Sequence, residues 1–159
     1  MNSKSGIKIS VNVIGTLRDA KTGKITGRFK GHNLAVNVGL YSIAARLAGT
    51  DIPANTKGAI TYCAVGTDNT AAAAAQTKLV TELFRKAVSV RSSTLGVARF
   101  RTFFNTSEAN DTLLELALFG DDATATADSG TMFCRIVINK SKTSSETLTL
   151  DWEVTVAAA

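Results

Sequence analysis

One segment near the C-terminus constrains this chain more than any other. Thr147 to Val156 reads T-L-T-L-D-W-E-V-T-V, with Leu148, Leu150, Trp152, Val154 and Val156 alternating with Thr147, Thr149, Asp151, Glu153 and Thr155. Successive side chains of a strand leave opposite faces, so a strict period of two predicts a half-buried β-strand. A helix would scatter the same apolar residues around its circumference. The segment therefore carries the only Trp of the chain, Trp152, into a core and marks it as a structural residue.

The alternation recurs at the other end. Ile7, Ile9, Val11 and Val13 are interleaved with Lys8, Ser10 and Asn12. The turn formers Asp19 to Gly23 follow, and then a return segment from Lys24 to Lys30. Together these predict an N-terminal hairpin over 7–31. The period changes after Asn33, where Val36, Leu40, Ile43, Ala44 and Leu47 fall on one helical face. A helix near 35–48 is expected, with Asn33 as N-cap and Gly49 after its end. Gly39 inside it points to close packing or to a start only near Asn37.

Further strands are expected at Ala59–Val65, over β-like sequence in Leu79–Val90, and at Val97–Phe104, Leu113–Phe119 and Met132–Ile138. Loops or turns are expected at Thr50–Gly58, Ala71–Ala75, Ser92–Thr94, Gly120–Gly130 and Asn139–Ser145. Leu113–Phe119 is apolar throughout except for Glu115, as in a strand covered on both faces. About eight strands with regularly spaced turns and one helix predict a mainly β single domain over 1–159. The expected architecture is an antiparallel two-sheet sandwich of jelly-roll type.

The chain has 159 residues, enough for one core without staples. Its formal net charge of +5 favours acidic partners. The basic residues are spread along strands instead of clustering, which disfavours a nucleic-acid site. Cys63 and Cys134 sit in separate apolar runs without a CxxC neighbour. Two buried thiols fit this better than one disulfide. The N-terminal residues lack an apolar signal core, and no apolar run reaches membrane-spanning length, so folding in a cytoplasm without membrane insertion is expected.

Signals for chemistry are sparse. His32 is the only histidine and lies far from any nucleophile motif, so a solvent-facing or capping role is expected. No phosphate-binding glycine pattern occurs, and Asp121, Asp122 and Asp128 lack calcium-loop spacing. No catalytic residue, cofactor or metal is assigned. Glu115 among apolar neighbours is either a general acid or half of an ion pair. A pair with Arg85, Arg99 or Arg135 is the favoured reading. In R-F-R-T-F-F, Phe100, Thr102 and Phe104 share one face and Arg99, Arg101 and Phe103 the other. Arg99 and Arg101 are thus candidate interface residues for an acidic partner, and stacking of single-stranded nucleic acid is disfavoured because Phe100 points away from them.

Several stretches together carry a resemblance. They are N-L-A-V-N-V-G-L-Y-S-I-A-A-R-L-A-G at 33–49, I-T-Y-C-A-V-G-T at 60–67 and T-K-L-V-T-E-L-F-R at 77–85. L-E-L-A-L-F at 114–119 and the closing L-T-L-D-W-E-V-T-V complete the set. In order and spacing they resemble a family of small tailed-bacteriophage virion proteins, of the capsid-decoration (cement) or tail-fibre-like kind. The resemblance implies a non-enzymatic β-sandwich present in many copies on a phage particle. The partners implied are further copies of the chain and a major capsid or tail protein. A cyclic trimer is the leading expectation for self-assembly, because a closed ring can cover the open sheet edges of a jelly roll. A capsid decoration protein is the leading expectation. A tail-fibre or baseplate component is the first alternative, a nucleic-acid-binding module is the alternative from another class, and a glycan-binding lectin follows.

Overall fold

The computed structural model of the chain describes residues 6–32, 34–48, 59–120 and 122–158. Its strands are β1 (Ile7–Asp19), β2 (Ile25–His32), β3 (Leu34–Ala35), β4 (Ile60–Gly66), β5 (Glu82–Ala87) and β6 (Val90–Thr94). They continue with β7 (Val97–Phe104), β8 (Asp111–Gly120), β9 (Thr131–Lys142) and β10 (Glu146–Ala158), and one helix, α1 (Asn37–Ala48), follows β3. The strands form two five-stranded sheets, ordered β2-β1-β10-β7-β6 and β3-β9-β8-β4-β5. Every pairing is antiparallel. The fold is a β-sandwich with one helix, as the alternating pattern predicts.

The first and last strands are the spine of the first sheet. β1 and β10 pair from Ile7↔Ala158 to Asp19↔Glu146 without a break. Val11, Val13 and Leu17 of β1 and Leu148, Leu150, Trp152 and Val154 of β10 point inward. They meet Cys63, Val65, Leu116, Leu118, Cys134 and Ile136 of the second sheet in one core. Trp152 is 2% exposed, on the inward face that the alternation predicts.

The second sheet is covered on both faces, which accounts for the apolar run of β8. Its outer face packs Ala64, Ala117, Phe119 and Met132 against Val36, Val38 and Leu79. The helix sits directly on β9 at Gly39, where any Cβ would overlap the Phe133 backbone. Both readings of Gly39 hold: the helix begins at Asn37, and the glycine marks close packing. The proposed caps Asn33 and Gly49 and the loop at 50–58 lie outside the described residues.

Some expectations need correction. Ser92–Thr94 is part of β6, not a turn. The turn is Leu95–Gly96, where both residues have positive φ, 48° and 79°. That is the pattern of a two-residue hairpin turn of the I′ kind, which normally begins with Asn or Gly. A leucine there hides the signal. Leu79–Val90 holds the whole of β5, a crossing between sheets and the first residue of β6. β9 runs on to Lys142, leaving a turn of only Thr143–Ser145 where a longer one was expected. These splits, together with the short β3, give ten strands among the described residues instead of about eight.

The cysteines are both buried and neither is in a disulfide. Leu118 pairs with Cys63 on one side and with Cys134 on the other. Two strand spacings, about 9–10 Å, separate them, beyond the reach of about 7 Å for a bridge.

Candidate docking face and the buried Glu115–Arg135 pair

The two sheets differ in what lies outside them. The second is roofed by its own chain, whereas the described residues leave the outer face of the first open. Register fixes the columns on that face. β2 contributes Arg28, Lys30 and His32, which lie beside Thr16, Ile14 and Asn12 of β1. β10 contributes Thr149, Asp151 and Glu153. β7 adds Phe103, Arg101 and Arg99 beside them, and β6 adds Val90 and Ser92. Shallow depressions along the face are lined by Asn12, Ile14, Arg28, Lys30, Arg101 and Asp151 among others.

Arg99 and Arg101 do share this outer face, as the alternation predicts. Each is engaged across the strand pair. Arg101 Nε lies 2.6 Å from Asp151 Oδ1, and Arg99 Nη2 lies 3.2 Å from Glu153 Oε2. The Asp151 carboxylate holds the Arg101 guanidinium above its usual range, first by hydrogen bonding and then by charge. Such exposed pairs contribute little stability, about 0–1 kcal/mol. They do place alternating charge in a fixed array. Arg28 and Lys30 make no ion pair among the described residues, so the array carries excess positive charge toward β2. Sequence reasoning missed these two because it looked for basic residues dense along the chain. The signal was the period of two in R-F-K-G-H.

Glu115 lies on the roofed face of the second sheet and is fully buried, as is Arg135. Arg135 Nε donates to Glu115 Oε2 at 2.7 Å. The backbone N–H groups of Val80 and Thr81 donate to the same carboxylate at 3.0 and 2.7 Å. Of the three arginines proposed as its partner, Arg135 is the one. Arg99 pairs with Glu153, and Arg85 pairs with Glu82 at 2.6 Å.

Register explains how two buried arginines fit on one face. Arg85, Ala64, Ala117 and Arg135 form one row across four strands. The two alanines leave space above them. Gly66 stands between Glu82 and Glu115 in the neighbouring row. A Cβ there would overlap Thr81 O and press on the Glu115 carboxylate. The arginines then fasten the roof. Arg135 Nη1 donates to Thr70 O at 2.8 Å. Arg85 Nη1 donates to Ser129 O at 2.9 Å and to Thr124 O at 3.3 Å, while its guanidinium stacks 4.5 Å from the Phe119 ring centroid. The expected loop after β8 is tied down at these two points. This geometry makes Glu115 a structural anchor, since every oxygen is occupied by a donor from its own chain.

His32 is exposed, and its Nδ1 lies 2.8 Å from Asn12 Oδ1, in keeping with the solvent-facing role expected of it. Asp128 pairs with Lys78 at 2.9 Å. Asp121 lies outside the described residues. No cluster able to hold a metal ion occurs among the described residues, and no helix there is long and apolar enough to cross a membrane. No family model, curated protein or solved structure matches this chain.

Proposed function

We propose that this chain is a non-enzymatic structural protein of a tailed-phage virion, a capsid decoration or cement protein that docks on an assembled lattice. The observation that carries the reading is the contrast between the two sheets. One outer face is roofed by the chain itself, and the other presents an open ladder of charged and apolar side chains. Ile14, Val90 and Phe103 are exposed on that ladder among the arginines. Apolar anchors ringed by charge are what an interface core and rim require. The sequence resemblance supplies the particle, and the excess cations of β2 suit an acidic capsid surface.

Cementing by such a protein is interface burial repeated by symmetry. An interface of about 1,600 Å², multiplied through a lattice, holds a shell without any bond being made or broken. Charge on the rim steers encounter, so its removal acts mainly on association rate. Co-sedimentation with purified expanded capsids across a salt series tests this. Charge reversal at Arg28 and Lys30 is expected to weaken attachment more than reversal at Arg99 and Arg101, whose charges are partly neutralised in place. All four variants should keep the fold. Binding to tails instead of heads would move the protein to a tail-fibre or baseplate position. If it ignored every virion component and bound DNA with a salt slope near −0.9 per phosphate contact, the structural reading would be wrong.

A further inference from the structure

The turn joining β6 to β7 holds the least comfortable residue on the surface. Leu95 has a left-handed backbone, and at 98% exposure it is the most exposed large apolar side chain among the described residues. A position that favours Asn or Gly carries a leucine that the described residues leave almost wholly exposed. Local choices that contradict the fold without an internal gain mark functional positions.

The same end of the sandwich has an opening of matching character. Where the two sheets part, a groove of about 460 Å³ is lined by Ile43 of α1, Ile60 of β4, Phe100 of β7, Phe133 of β9 and Val154 and Val156 of β10, with Arg91, Ser92 and Ser93 of β6 on its polar rim. Most of these side chains also flank the main core, so the groove is a continuation of the core left open at one end. β6 and β7 form one of its walls, and Leu95, at their turn, stands clear of it.

We infer that the chain associates with itself, with Leu95 of one copy seated in the apolar groove of another. A second copy is the occupant because the chain itself supplies the required knob: an apolar side chain, presented on a two-residue turn, that the described residues leave exposed. Knob and groove adjoin at one end of the sandwich, where the Val156 N–H donates to Gly96 O at 2.8 Å beside Leu95 and Val156 also lines the groove. Two copies can therefore exchange knobs about a two-fold axis, or pass them around a ring such as the trimer expected from the sequence. Of the residues on the open face of the first sheet the groove shares only Ser92, and so the contact stands or falls separately from lattice docking.

Two variants test it. Leu95→Asn removes the knob while suiting the left-handed backbone, so the turn should be retained. Ser93→Arg obstructs the groove and leaves the knob intact. Sedimentation velocity and light scattering should find wild-type protein larger than a monomer, with dissociation on dilution. Each variant should weaken self-association by about ten- to a hundredfold, as expected for one buried leucine, while keeping the far-UV spectrum and a cooperative melt. An equimolar mixture should form a one-to-one pair, because one intact knob then meets one intact groove. A wild-type protein that is monomeric at its highest soluble concentration overturns the inference, even if it binds capsids. So does a Leu95→Asn protein that keeps the wild-type mass. Should that variant fail to fold, Ser93→Arg and the mass of the wild type decide.

Discussion

Glu115→Gln isolates the buried ion pair with almost no change of shape. In the native protein the carboxylate accepts from Arg135 Nε at 2.7 Å and from the Val80 and Thr81 N–H groups at 3.0 and 2.7 Å. A glutamine has one acceptor oxygen in place of two, and its amide would point a donor at a donor. One backbone N–H is left unpaired, costing about 1–3 kcal/mol. Arg135 loses its closest counter-charge. Breaking a buried pair costs about 3–5 kcal/mol, here moderated because Asp68 Oδ1 stays 3.9 Å from Arg135 Nη2. Since these contributions overlap, the net loss should be about 3–5 kcal/mol. At about 2–4 °C per kcal/mol for a domain of this size, Tm should fall by roughly 6–20 °C. Urea unfolding followed by Trp152 fluorescence and far-UV circular dichroism measures it directly. The cycle with Arg135→Gln should show the double variant less destabilised than the sum of the singles by about 1–3 kcal/mol. A loss below about 1 kcal/mol for Glu115→Gln, or simple additivity, would refute the assignment of Glu115 as an anchor.

Other expectations follow from the same packing. Gly66→Ala should destabilise by forcing the Glu115 carboxylate or the Thr81 carbonyl to move, and its effect should shrink in a Glu115→Gln background; unfolding of the three proteins tests this. Trp152→Ala should cost about 3–5 kcal/mol as a cavity substitution, and native emission should be blue-shifted and poorly quenched by iodide. Burial pushes the Cys63 thiol up to about 12, against the opposing influence of Trp152 and Thr102 beside it. The native thiol should therefore resist alkylation at neutral pH, while both cysteines are modified in denaturant without reductant, as counted by mass spectrometry. Burial raises the Glu108 carboxyl, but the Lys86 ammonium, the Asn105 N–H and the Lys142 charge outweigh it and hold it below the usual 4.5. The Thr26 hydroxyl chiefly does the same for Glu146. Folded values below unfolded ones mean that this stabilisation is complete above the usual carboxyl value and is lost as pH falls through the folded values. Urea midpoints should drop between about pH 5 and pH 3, and less so in Glu108→Gln.

The sequence by itself determined the architecture wherever one strand sees one wet and one dry face. Val11, Val13, Leu17, Leu148, Leu150 and Trp152 are inward because period-two alternation admits no other placement once a core forms. The double covering of Leu113–Phe119 was legible for the same reason, and so were the separation of Arg99 and Arg101 from Phe100 and the buried thiols. What tertiary structure alone decided are relations between distant segments. Three arginines were equally able to meet Glu115, and only the pairing of β8 with β9 places Arg135 beside it. Arg28 and Lys30 join Arg99 and Arg101 on one face because β1 and β10 lie between them, an order that no local pattern encodes. The turn at Leu95–Gly96 was hidden because strand pairing imposed a left-handed backbone on a leucine. Local sequence sets which face each side chain takes, through the geometry of the pleat. Which strands become neighbours depends on burying the whole apolar surface at once, and the candidate contacts of this protein lie at that second level.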